Sequence, residues 1–143
     1  GAVVCGATYL IDYLLNFSKP FIYTTALPWH GLAGVRAAYQ EMQEGTALQA
    51  LQQNIRFFTE QIPASLRPQF IPSRSAIQSL VYPGNSAVRE LAKTLQDHGF
   101  AVWPILHPTV PKGQERLRIC LHSFNTEEQI QRLLELLEEG IKI

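Results

Sequence analysis

From Arg116 to Leu121 the chain keeps a two-residue period, with Arg116 and Arg118 on one side and Leu117, Ile119 and Leu121 on the other. Successive side chains of an extended strand point to opposite faces, so this pattern requires a strand with one face in a core. Helical patterns bracket it. Upstream, Val88, Leu91, Ala92 and Leu95 recur at helical spacing between the turn Pro83-Gly84-Asn85 and a stop at Gly99, with Asn85 or Ser86 as the cap. Downstream, Thr126-Glu-Glu-Gln129 forms a capping box, Ile130, Leu133, Leu134 and Leu137 form a buried stripe, and Gly140 closes the helix. Residues 76–82 and 100–106 read as further strands, the second placed at an edge or a bulge because Pro104 has no ladder N–H. The content is α/β. The expectation for this part is an α+β small domain: about three strands (76–82, 100–106, 116–121) with helices 86–98 and 126–139 on one face.

The first half reads differently. Gly1 to Gly6 is a continuous apolar strand signal of the kind buried on both faces of a sheet, with nothing before it to pair with. That predicts a chain cut from something larger. Leu10, Ile11, Leu14 and Leu15 place a short helix over 7–16, ended by Ser18 and Pro20. Phe21, Ile22 and Tyr23 read as an extended apolar run that breaks into Thr24 and Thr25 ahead of a helix opened by Pro28. Leu32, Val35, Tyr39 and Met42 stripe that helix, and Gly45 terminates it. Thr46 can cap a further stripe, Leu48, Leu51, Ile55 and Phe58, either collinear with the first or bent at Gly45. His30 is expected to be partly buried at a helix start, and residues 63–74, rich in proline, read as a surface connection.

Composition narrows the classes. With 143 residues and 46% apolar content the chain can bury one sizeable core. Lys+Arg 12 against Asp+Glu 12 leaves no basic footprint for nucleic acid and no polybasic membrane patch. No apolar run approaches the roughly 18 residues of a membrane helix, and no secretory layout opens the chain, so a cytoplasmic location is expected. Cys5 and Cys120 are too few for a disulfide framework or a zinc site; each lies in an apolar run and is expected to be a buried, reduced thiol. There is no internal repeat.

Three features carry possible chemistry. Thr24 and Thr25 either cap the coming helix or, with free backbone N–H groups, hold an anion such as a phosphate. Pro108 and Pro111 bracket Thr109 and Val110, which stiffens the loop; that suits a ligand contact and also suits plain turn chemistry. Arg116 and Arg118 are solvated charge or a two-pronged grip on a carboxylate.

Asn16–Pro28, NFSKPFIYTTALP, and residues 108–121, PTVPKGQERLRICL, resemble the α-oxoamine synthase family of pyridoxal-phosphate enzymes, a likeness that extends over essentially the whole chain. Within that family the Thr-Thr pair and the PTVP loop resemble the branch that condenses L-alanine with a pimeloyl thioester, losing carbon dioxide, in biotin synthesis. The resemblance implies an aminotransferase-like fold of which this is the C-terminal portion. Residues 1–27 would be a remnant of the large cofactor domain, 28–62 a helical connector and 63–143 the small domain. It implies contacts from Thr24 and Thr25 to the phosphate of a partner subunit's cofactor in a homodimer. It also implies substrate contact by Thr109 and carboxylate binding by Arg118. None of Lys19, Lys93, Lys112 and Lys142 stands in the family's cofactor-lysine context, so that lysine is expected upstream of Gly1 and the segment alone is expected to be inactive. Leu106 and His107 replace the family's common Arg-Pro pair, and Asn125 a frequent histidine. The alternatives are another branch, glycine C-acetyltransferase or serine palmitoyltransferase-like, and a stand-alone binding or dimerisation module whose orphan strand pairs with another copy.

Overall fold

A computed structural model describes residues 4–141. The chain divides into two units, Gly1–Gly45 and Thr46–Ile143.

In the first unit, α1 (Thr8–Phe17) and α2 (Lys19–Ile22) precede α3 (Trp29–Glu44). The α1 helix forms where its apolar spacing predicts, and Tyr13 stacks on Phe17 one turn later, with ring centroids 4.8 Å apart. Phe21 and Ile22 correct the expected extended run: they lie in the helical turn α2, which Pro20 opens with its fixed φ in the first turn, where a missing N–H costs nothing. The strand expected over 1–6 does not form over Val4–Gly6, which carry no regular structure; residues 1–3 lie outside the described residues. A strand is held by its ladder, and among the described residues none pairs with this segment. His30 is exposed rather than partly buried. Gly45, at φ 77°, takes the left-handed conformation that ends α3.

The second unit holds the core. After α4 (Thr46–Gln61) come a 3-10 turn (Arg67–Gln69) and the strands β1 (Phe70–Ile71) and β2 (Ile77–Val81). Then follow α5 (Asn85–Asp97), β3 (Trp103–Ile105), β4 (Arg116–Cys120) and α6 (Glu127–Ile141). The sheet is antiparallel in the order β1-β2-β4-β3. It has four strands where about three were expected, because the proline-rich connection contributes Phe70 and Ile71 as an edge strand opposite Leu80 and Ser79. The Pro104 strand, β3, takes the other edge, where the missing N–H leaves no ladder bond unmade.

One face of the sheet is covered. Leu80 and Leu117, paired across β2 and β4, are fully buried, and Ile119 is 2% exposed. Helix α5 packs on β3 and β4, α6 on α5, and α4 on α6. Each fully buried apolar side chain contributes roughly 1.5–3 kcal/mol. Phe58 of α4 meets Phe70 of β1 edge to face at 5.6 Å, tying helix and sheet edge together. The capping box forms as written: Gln129 N–H donates to Thr126 Oγ1 at 3.2 Å and Thr126 N–H to Gln129 Oε1 at 3.1 Å.

Three local expectations are corrected here. Gly140 lies inside α6 instead of ending it; a Cβ there would stand 2.8 Å from Leu91 Cδ1, so the glycine serves the close approach of α6 to α5. Gly84, not Asn85 or Ser86, occupies the N-cap of α5. Both cysteines are exposed and free, not buried. Cys120 shares the strand parity of Arg116 and Arg118 and so points away from the core; Cys5 lies in the segment without regular structure.

Candidate functional site

The outward face of the sheet is set by the same alternation that builds the core. Arg118 is exposed at the centre of this face, directly opposite Ser79 on β2 and Trp103 on β3. Trp103 is 67% exposed, so the guanidinium has an apolar neighbour on one side and a hydroxyl on the other. Arg116, one step along, donates from Nε to Gln114 O at 2.9 Å. Among the described residues Arg118 makes no ion pair, whereas Arg132 pairs with Glu135 at 3.3 Å. A planar cation without a carboxylate partner can grip one from a ligand.

Thr109 sits exposed in the loop between β3 and β4, just after a cis His107–Pro108 peptide. This loop is fastened at both ends. At its start Asn85 pairs with the backbone of His107, accepting its N–H at 3.0 Å and donating to its carbonyl at 3.3 Å. At its end the Gly113 N–H donates to Glu115 Oε2 at 2.9 Å, and the same oxygen accepts the Gly84 N–H at 3.1 Å. Glu115 is 3% exposed. The Gly84 N–H foremost, with its own and the Gly113 N–H, lowers the Glu115 pKa against the opposing effect of burial; a nearby His107 acts in the same direction.

Thr24 and Thr25 lie in the first unit, exposed, in the non-helical stretch between α2 and α3. Neither caps α3, whose N-cap is Pro28 and lacks a side-chain hydrogen bond. The capping reading of the pair therefore fails, and two hydroxyls remain available ahead of a helix N-terminus. The four predicted site residues fall into two pairs: Thr109 and Arg118 share the second unit, and Thr24 and Thr25 adjoin each other in the first.

Glu115 and Trp103 were not singled out from the sequence, and Asn85 was read there only as a helix cap. A signal for Glu115 was present: residues 115, 117, 119 and 121 share one parity, so a carboxylate there is turned towards the core and needs donors. Asn54 was overlooked as well. It is 8% exposed in α4 and donates to the carbonyls of His122 and Asn125, both at 2.9 Å, fixing the turn after β4.

This sequence and this fold are both shared with known enzymes. Residues 1–137 match the family model for aminotransferase class I and II, and the chain belongs to that family. Within it, the chain is similar to 8-amino-7-oxononanoate synthases. It is 39% identical over 140 residues to the one from Methylobacillus flagellatus, covering 96% of this chain and 35% of that protein. The crystal structure of 8-amino-7-oxononanoate synthase from Francisella tularensis superposes with a TM-score of 0.74 at 32% identity, over 96% of this chain and 40% of that one. Serine palmitoyltransferase of Sphingomonas wittichii shares the fold at a TM-score of 0.75, with 22% identity over 92% of this chain and 34% of that chain. The chain thus spans little more than a third of the length of the relatives it matches.

Proposed function

We propose that this chain forms the C-terminal part of an acyltransferase that condenses L-alanine with a pimeloyl thioester, of coenzyme A or acyl carrier protein, giving 8-amino-7-oxononanoate with loss of carbon dioxide. The observation that carries the reading is Arg118, exposed on the open sheet face with no ionic partner among the described residues. Its guanidinium binds the amino acid's carboxylate and orients the α-carbon, and Thr109 contacts the same substrate from its fastened loop. In this reading residues 1–27 belong to the cofactor domain, 28–62 connect, and 63–143 form the small domain.

Pyridoxal phosphate suits the residues present, because two exposed adjacent hydroxyls, Thr24 and Thr25, ahead of the α3 N-terminus match phosphate oxygens in chemistry. When bound, the cofactor supplies the electron sink for a carbanion at the amino acid's α-carbon. Thr24 and Thr25 serve a partner subunit's cofactor in a homodimer, and the lysine that carries the cofactor belongs to sequence beyond these 143 residues. Cytoplasmic location goes with that role; among the described residues no helix is long and apolar enough to cross a membrane.

The branch of the family is tested by turnover. A protein of the relatives' full length carrying this chain should use L-alanine with pimeloyl-CoA at least about tenfold better in kcat/KM than glycine or L-serine, a margin of about 1.4 kcal/mol. A preference for glycine or L-serine would move the assignment to a sister branch.

A further inference from the structure

We propose that Asn85 and Glu115 are positioning residues that hold the Thr109 loop in place for its substrate contact, an inference that rests on the reading of Thr109 above. Both grips end on one turn. Asn85 bonds His107 at the start of the loop through two hydrogen bonds, and Glu115 Oε2 joins Gly113 at its end to Gly84, the neighbour of Asn85. Thr109 lies between the grips. Gly84 and Gly113 stand at φ 102° and 84°, conformations that point their N–H groups at the shared oxygen and that other residues rarely adopt. The carbonyl of Glu115 also accepts the Tyr82 N–H at 2.8 Å, which binds the foot of β4 to the end of β2. The loop carrying Thr109 is therefore referenced to the strand carrying Arg118, which stands three residues after Glu115.

An inward carboxylate at 3% exposure is a costly choice where a leucine would fill the core. What it adds is the attachment of two glycine turns to a single atom. That attachment fixes the loop without touching the substrate.

The test uses two readouts. In the 143-residue chain, Glu115→Ala should speed amide hydrogen exchange at Gly84 and Gly113 by about tenfold while Leu117 and Ile119 keep their protection. In a protein of the relatives' full length, Glu115→Ala and Asn85→Ala should each raise KM for L-alanine about tenfold and leave KM for the thioester within about twofold. A mere loss of folded protein lowers kcat and leaves KM alone. Glu115→Gln, which keeps an oxygen acceptor, should restore KM to within about threefold. Unchanged exchange at both glycines, or Glu115→Gln behaving as Glu115→Ala, overturns the hydrogen-bonded clamp. Faster exchange with an unchanged KM overturns the positioning role while leaving the proposed acyl transfer standing. Absence of any turnover in the unsubstituted protein sinks the proposed function instead, and the positioning role with it.

Discussion

Glu115 is the residue whose chemistry the fold most visibly constrains. Its carboxylate accepts the N–H groups of Gly84 and Gly113, which favour the charged form and hold its pKa below the usual glutamate range. A folded-state pKa below the unfolded one gives stability that is present above the unfolded value, near 4.3 for glutamate, and is lost as pH falls through the folded value. The urea midpoint of the chain should therefore be flat from about pH 7 to 5 and drop below about pH 4, and Glu115→Gln should shallow that drop. An identical acid limb in the variant would assign the sensitivity elsewhere. Glu128 is the competing carboxylate, lowered by its own backbone N–H and by the Thr126 hydroxyl, so Glu128→Gln is the matched control.

At the scale of elements, α6 depends on its first turn. Thr126 Oγ1 accepts the Gln129 N–H, and Gln129 returns the bond, so two otherwise orphaned donors are satisfied. Thr126→Ala should cost about 1 kcal/mol in chemical unfolding, and Thr126→Ser much less; equal stability of Thr126→Ala and the parent would remove the box from the account. Such elements were legible because their rules are local: α1, α3, α4, α5, α6, β2 and β4 arise where apolar spacing predicts, even though the α5 cap and the α6 end do not. The misses come from partners that spacing does not contain. Phe70–Ile71 becomes a strand only because β2 offers an edge, and Gly140, within α6, serves a close approach to Leu91 and not a helix stop. Cys120 was misplaced through treating its run as apolar instead of following the parity that Arg118 had established. Of the candidate site, residue type and pattern marked the Arg116 and Arg118 pair and the stiff Thr109 loop, and only the family resemblance nominated Arg118 and Thr109 as substrate contacts. Asn85 and its bond to His107 could not, since twenty-two positions separate them in the chain and only the folded turn brings them together.

At the scale of the whole molecule, the chain covers 35% of the Methylobacillus flagellatus synthase and 40% of the Francisella tularensis one. In the proposed function these residues bind and orient, and the covalent hold on the cofactor lies elsewhere. The purified chain mixed with pyridoxal phosphate and treated with borohydride should carry no stoichiometric pyridoxyl group on Lys19, Lys93, Lys112 or Lys142 by mass spectrometry. One of them modified at one equivalent would contradict the division of labour. The central claim, a guanidinium on an open sheet face that receives an amino acid's carboxylate, is tested most directly by Arg118→Ala in a protein of the relatives' full length. Charge-assisted bonds of this kind are worth about 1.5–3 kcal/mol each, so the predicted result is a fall in kcat/KM for L-alanine on the order of a hundredfold, with KM for the pimeloyl thioester little changed. An unaltered kcat/KM for L-alanine in that variant would contradict the account.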